Sequence, residues 1–273
     1  MLEFSFSDPY ACSEADKVLI AASVGKRTSY AMRGDERVFI KRHDVGGPRL
    51  GRKLHGFLSP ILPAHFLRAS PILSPADMAK RELRKIALFQ KHHIDVPEVI
   101  CSDGSAIMMG DVGENIQTRL KQLRELNTHL HDSLLIQCSA ALGDVHAAGL
   151  CHGRPHPVDM FLGQAKIGFF DFDEEPETVM SLAQAQARDA WLLFFQIATQ
   201  AVDQERTPHA AFGAWRRKIS LETLESLKEL VLFFKFCILP LKLAKNIRLG
   251  VDGQNMLNAM EFFMLHLGLK AKS

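Results

Sequence analysis

The sequence predicts an α+β chain of two lobes, a β-rich N-lobe followed by an α-helical C-lobe. Three observations carry this. Short β-rich runs crowd the first part of the chain, a single helical stripe interrupts them at 74–93, and after about residue 115 the pattern turns almost wholly helical. The division falls at 1–112 for the N-lobe, with a basic insert at 44–75, and 113–273 for the C-lobe, with a loop of catalytic type at 151–161. Lobes of such different composition are expected to meet in a cleft, where ligands usually sit.

Each element has its own signal. "KVLIAAS" (17–23), "TSYAMR" (28–33) and "RVFIKRH" (37–43) read as strands, and "RGDE" (33–36) as the turn between the last two. Ser74 followed by Pro75 is a helix start, and Leu83, Ile86, Ala87 and Phe89 supply its apolar stripe. "VPEVICSDGSAIMMGDVGE" (96–114) reads as two strands joined at Asp103-Gly104, then a linker. Residues 115–149 are helical in pattern and stop at Gly149. "KIGFFDF" (166–172) is a short strand. Helices are expected at 177–203, 220–245 and 253–268.

Composition narrows the class. The chain has 273 residues, 47% hydrophobic and 23% charged, which is ordinary for a soluble globular protein. A net charge of +2 is too small to argue for a nucleic-acid partner, and none is expected. The five cysteines, Cys12, Cys101, Cys138, Cys151 and Cys237, form no CxxC pair and suggest buried free thiols in a reducing compartment. The N-terminus has no basic and apolar leader, so the expected location is cytoplasmic. The most apolar run, "LVLFFKFCIL" (230–239), is too short for a membrane span and reads as a buried helix. Between Lys41 and Lys91 stand eleven Lys or Arg against three acids, mixed with Leu, Ile, Phe and several prolines. Such an insert suits the inner face of an anionic membrane or an acidic glycolipid; the plainer alternative is a solvated loop over the core.

Two stretches carry chemistry: "GLCHGRPHPVDMFL" (149–162) and "IGFFDFDEEP" (167–176). Phosphoryl transfer needs a cation on the phosphates, acidic or amide ligands for Mg²⁺, and a group that orients the acceptor hydroxyl. Lys41 in "VFIK" is a candidate for the first, with Glu82 on the N-lobe helix as its partner. Asp171, at the end of "IGFFDF", is a candidate metal ligand. "MMGDVGEN" (108–115), with Asp111 and Gly113, lies where backbone groups would meet an adenine.

The order Lys41, Glu82, linker 110–115, loop 151–161 and Asp171 resembles the protein kinase-like fold. It is similar to small bacterial kinases of the lipopolysaccharide-core (heptose and Kdo) type and to Rio-type kinases, over roughly residues 17–205. Their catalytic loop often reads H-G-D-L-H-P-x-N-hydrophobic; here it reads His152, Gly153, Arg154, Pro155, His156, Pro157, Val158, Asp159, Met160. "KRELRKIALFQKHHIDVPEV" resembles the helix and turn of that group with His93 in place of a glycine, and Asp189 in "ARDAWLLFF" resembles the aspartate that braces the loop. The resemblance implies ATP and Mg²⁺ as cofactors and a lipid-linked sugar or other anionic acceptor. Asp171 and Asp159 would be the metal ligands.

Three departures qualify it. Arg154 stands where the proton-accepting aspartate would be, and a guanidinium cannot accept a proton. Asp159 replaces an asparagine, a mild change for Mg²⁺. The segment "ASVGKRTSY" has only Gly25 to approach phosphates, helped by Lys26 or Arg27. Arg154 therefore admits three readings: a pseudokinase in which it pairs Asp159 or Asp171, an anion-binding residue with Asp159 or His156 orienting the acceptor, or a structural arginine. A pseudokinase that senses nucleotide or scaffolds a membrane assembly is the second function. A metal-dependent hydrolase is the third. His146, Cys151, His152, His156, Asp159, Asp171 and Asp173 cluster in sequence, but Gly153, Pro155 and Pro157 forbid the helix that zinc spacing at His152 and His156 would need.

Overall fold

The computed structural model describes residues 10–46, 68, 70–71, 73–164, 166–243 and 251–269, with side chains at 236–243 and 251–258 left out. The chain opens with helix α1 (Glu14–Ala22), capped by Ser13. A four-stranded antiparallel sheet follows, in the order β1-β2-β4-β3. Its strands are β1 (Thr28–Arg33), β2 (Glu36–Arg42), β3 (Val99–Asp103) and β4 (Ala106–Gly110). Helix α2 (Pro75–Lys91) packs beside it.

One expected strand is a helix. "KVLIAAS" falls within α1, not in the sheet. Its β-rich letters are outweighed by a local cap: the Ser13 side chain accepts the Asp16 N–H, with Glu14 and Asp16 in the first turn. Only Asp16 and Ile20 of the helix are buried, so one turn-spaced stripe meets the sheet and Val18 stays exposed. Gly25 therefore precedes the first strand and does not sit in a hairpin over the cleft. The remaining N-lobe strands and their turns match the expected segments, with Gly34 and Gly104 at positive φ in the two hairpins.

The cysteine expectation also fails in part. Cys12 and Cys101 form a disulfide, with Cα atoms 5.0 Å apart, tying the entry to α1 onto β3. Spacing of 89 residues hides such a pair from the sequence. Cys138 and Cys151 are buried free thiols. The cysteine argument for a reducing compartment therefore does not hold.

The second lobe is helical. Residues 115–149 form two helices, α3 (Ile116–Leu126) and α4 (Thr128–Ala147), because Asn127 leaves helical backbone geometry and caps the second helix by accepting the Leu130 N–H. A small hairpin, β5 (Met160–Leu162) and β6 (Ile167–Phe169), follows the loop at 151–159. Then come α5 (Leu182–Gln200), α6 (Arg206–Arg216), α7 (Leu221–Leu243) and α8 (Val251–His266). The shorter α6 is a helix that the apolar pattern does not single out. Trp215 on α6, Phe194 on α5 and Phe263 on α8 share the core, with Trp191 stacked on Phe234 and Phe263. The run at 230–239 lies within α7, where Leu230 and Val231 are buried. No helix among the described residues is long and apolar enough to cross a membrane. Most of the basic insert at 44–75 lies outside the described residues.

A sheet flanked by α1 and α2, joined through a linker to a helical bundle that carries a loop and a short hairpin, is a two-lobed α+β fold.

Candidate active site

β2 places Lys41 on its inner face, paired with Thr28 of β1 and Ile107 of β4. Its ammonium is 4% exposed and reaches three carboxylates. It donates to Glu82 of α2 at 2.8 Å, contacts Asp171, and lies 2.9 Å from Asp173. Burial works against the charge on Lys41, but Asp171, Glu82 and Asp173 outweigh it and raise its pKa.

Glu82 is fixed from both sides. The basic neighbours on its own helix, Arg81, Arg84 and Lys85, are engaged elsewhere. Arg84 pairs with both oxygens of Glu175 at 2.7 Å, Lys85 with Glu177 at 3.3 Å, and Arg81 donates to the Asp173 carbonyl at 2.9 Å. The acidic run at 174–177 thus clamps α2 onto the lower lobe and leaves Glu82 free for Lys41.

Asp171 follows β6 with φ at 66°, a left-handed conformation that Asp tolerates better than most residues. This turn sends Phe172 inward and keeps Asp171 at the cleft. Phe172 is fully buried between Phe89 of α2, at 4.6 Å between ring centroids, and His152 of the loop, at 5.0 Å. The stack connects α2 to the loop through one ring.

Asp189 braces that loop. Fully buried on α5, it accepts the His152 N–H at 2.6 Å and the Gly153 N–H at 2.9 Å. Burial would raise its pKa, but His146 and His152 lower it. Burial pushes His152 down to about 4, so its ring is neutral near pH 7. Nε2 then donates to the Phe170 carbonyl at 3.1 Å and Nδ1 faces the Arg154 N–H. Gly153 holds φ at 110°, and a Cβ there would come within 2.8 Å of the Glu174 carbonyl oxygen, so both backbone and space call for glycine.

The cleft between the lobes has a volume of about 300 Å³. Tyr30, Phe39, Met109 and Val158 give it apolar walls, the 110–113 linker forms one edge, and Lys41, Asp159 and Asp171 lie at its polar end. Asp159 is buried, and burial together with Asp171 pushes its carboxyl up to about 8, partly offset by Arg154. A buried carboxyl that holds its proton beside a second carboxylate is a donor set that a divalent cation would relieve, so Asp159 and Asp171 fit Mg²⁺ chemically.

The other expected residues are placed as follows. Arg154 is exposed on the loop, and among the described residues no carboxylate lies within ion-pair distance of its guanidinium. The internal pairing of Arg154 with Asp159 or Asp171 is therefore not formed. His156 caps the 3₁₀ turn Pro157–Asp159 by accepting the Val158 N–H at 3.0 Å, and it does not line the cleft. Asp111 lines the cleft, but its carboxylate is occupied by Arg37 at 2.6 Å and by the Gly113 N–H at 3.0 Å. Gly25 lies outside the lining residues, while Arg27 and Thr28 belong to it. His152 and His156 are turned to separate tasks, so the clustered histidines of the hydrolase reading do not converge.

Sequence reasoning passes over His43 and gives Asp173 only a minor place. The signal for His43 is period two: along a strand, i and i+2 share a face, so His43 follows Lys41. Asp173 reaches the same lysine through the turn at Asp171, whose left-handed backbone breaks that alternation.

No protein-family model matches the chain, and no curated protein matches it. Among solved structures the chain is similar to the MAP kinase LMAMPK10 of Leishmania major. The identity is 17%, over 79% of this chain and 71% of that chain, with a TM-score of 0.37. That likeness adds nothing to the reading of the site, which stands on its own geometry.

Proposed function

We propose that the chain is an atypical phosphotransferase that uses ATP and Mg²⁺ and transfers phosphate to an anionic acceptor, with a sugar of lipopolysaccharide-core type as the leading candidate. The observation that carries the reading is Lys41: a buried ammonium at the polar end of a partly apolar cleft, held by a helix carboxylate and facing Asp171. An isolated buried lysine would shed its proton. This one is kept charged, which is what a phosphate-binding cation requires. The apolar walls and the linker backbone suit a flat, apolar base with polar edges.

Asp171 and Asp159 would hold the metal. Bound Mg²⁺ supplies charge neutralisation on the transferring phosphate. Phosphoryl transfer depends mainly on position and electrostatics, so the missing aspartate at Arg154 lowers the rate without removing the site. Asp159, once ionised, is the carboxylate available to the acceptor hydroxyl. Exposed Arg154 supplies positive charge beside it for an anionic acceptor.

The test is equilibrium binding of ATP with and without Mg²⁺, followed by turnover with phosphorylated core sugars. Binding that needs Lys41 and turnover that is lost in Asp171→Asn support the enzyme. Failure of wild type to bind ATP sinks the proposal. A second reading has its own support: Arg27 and Lys41 are both already paired to Asp173, at 2.5 Å and 2.9 Å. A protein whose phosphate-binding cations are internally neutralised suits nucleotide sensing on a scaffold. Metal-independent ATP binding without turnover would select it.

A further inference from the structure

Beside Lys41, at the inner end of the cleft that Glu82 also lines, three buried side chains converge. One ring nitrogen of His43 and one carboxylate oxygen each of Glu82 and Asp173 lie within 4.8 Å of one another. All three side chains are at least nine-tenths buried. Both His43 nitrogens, Glu82 Oε2 and Asp173 Oδ1 lack an aligned hydrogen-bond partner. Some of these atoms are close to others: His43 Nε2 is 2.9 Å and Lys41 Nζ 2.8 Å from Glu82 Oε2, and Lys41 is 2.9 Å from Asp173 Oδ1. They meet at ion-pair distance without hydrogen-bond alignment. Buried polar atoms are normally satisfied; the Lys41 ammonium answers the two carboxylates by charge, and the buried His43 imidazole is left as a ligand without an aligned partner.

We propose that His43, Glu82 and Asp173 form a binding site for a first-row divalent transition metal of the Zn²⁺ type, distinct from the cleft carboxylates Asp159 and Asp171. Its chemistry is one imidazole nitrogen and two carboxylate oxygens, a set that such ions accept and that leaves a fourth position open. Ligand atoms of a tetrahedral ion of this size stand about 3.4 Å apart, so the most separated pair must draw in by up to about 1.4 Å while the His43–Glu82 pair opens slightly from 2.9 Å. Charge favours the ion. Glu82, Asp171 and Asp173 face Lys41 and Arg27, three formal negatives against two positives. The ion competes with the Lys41 ammonium for Glu82 and Asp173. Occupancy would leave Lys41 with Asp171 as its remaining carboxylate in the cleft, coupling this site to whatever the cleft binds. The proposal does not depend on the nucleotide reading.

Titration of the full chain with Co²⁺, without nucleotide, tests it through the visible absorption of the bound ion. One saturable equivalent is expected, weakened at least tenfold in His43→Gln and in Asp173→Asn, and retained in Asp171→Asn. Lys41→Met, which removes the competitor, should bind Co²⁺ at least tenfold more tightly than wild type. Near-UV circular dichroism identifies which variants are folded, and any folded one of His43→Gln, Asp173→Asn and Lys41→Met decides. Absence of a saturable site in wild type overturns the proposal. So does a site lost in Asp171→Asn but unchanged in His43→Gln, or a Lys41→Met protein that binds no more tightly than wild type.

Discussion

Glu82 on α2 accepts a 2.8 Å hydrogen bond from Lys41 on β2, with both side chains almost fully withdrawn from solvent. The pair fixes the distance between sheet and helix, and Asp171 and Asp173 make the lysine a hub shared with the lower lobe. Removing one partner of a buried ion pair leaves the other uncompensated, at a cost of about 3–5 kcal/mol. Lys41→Met should therefore lower the melting temperature as well as nucleotide affinity. A Lys41→Met protein as stable as wild type would show that the lysine is not the hub that the geometry describes.

The loop depends on Asp189 in a different way. Asp189→Ala leaves the N–H groups of His152 and Gly153 without acceptors inside the protein, and each buried orphan costs about 1–3 kcal/mol. Asp189→Asn keeps the shape but can accept with one oxygen only. The expected order of thermal stability is wild type, then Asp189→Asn, then Asp189→Ala. Equal melting temperatures for Asp189→Ala and wild type would refute the brace.

Gly153 tests the same loop by crowding. Its φ of 110° and the Glu174 carbonyl 2.8 Å from a built Cβ leave no room for alanine. The obstacle is backbone and cannot swing away. Gly153→Ala should cost about 2 kcal/mol or more, because strain at a glycine-only conformation adds to the clash. Denaturant titration would show a lower midpoint at unchanged slope.

Much of this is legible in the sequence, and the failures have physical causes. Lys41, Glu82, Asp171 and Asp189 can be placed because each sits in a segment with a strong local pattern, and their order along the chain limits the folds that bring them together. His93, read as standing in place of a glycine, does hold φ at 55°. α1 defeats the strand reading because a capping serine and two acids decide a stretch of strand-like letters. The Cys12–Cys101 bridge joins points 89 residues apart, a distance that spacing cannot report. The clamp of Glu174, Glu175 and Glu177 on Arg84, Lys85 and Arg188 is tertiary, so helix-local pairing rules point Glu82 at the wrong partners. His43 escapes notice although strand alternation puts it on the face of Lys41.

His93 offers a prediction of gain. A non-glycine residue in the left-handed region costs roughly 1 kcal/mol, and glycine removes that cost while adding freedom to the unfolded chain. His93→Gly should be neutral or stabilising by up to about 1 kcal/mol, unlike most substitutions near a site. Calorimetry showing a loss above that size would mean that the His93 ring has a packing role.

Asp159 gives the protein an unusual response to pH. Its carboxyl is pushed up to about 8 in the folded state by burial and by Asp171, against an ordinary value of 3.8 when unfolded. Between those values the folded state holds a proton that the unfolded state has lost, so this group makes stability fall as pH rises. The contribution favours folding below about pH 4 and has faded once pH passes about 8. Asp173 works in the opposite sense. Burial opposes its charge, but Lys41, then Arg27 and His43, hold its pKa well below the usual range, so its contribution is present above about pH 4 and is lost in acid. Asp159→Asn removes the first slope and keeps the second. Its melting temperature should therefore exceed that of wild type at about pH 8–9 by an amount worth about 1–3 kcal/mol, with the gap closing toward about pH 4. Mg²⁺ should act on the same proton: if Asp159 and Asp171 share the ion, binding releases the proton, and Mg²⁺ affinity of wild type rises with pH up to about 8. Isothermal titration in two buffers of different ionisation enthalpy reads that release directly. Proton-free Mg²⁺ binding near pH 7, with the same affinity in Asp159→Asn, would remove Asp159 from the metal site and leave Asp171 to hold it without that partner.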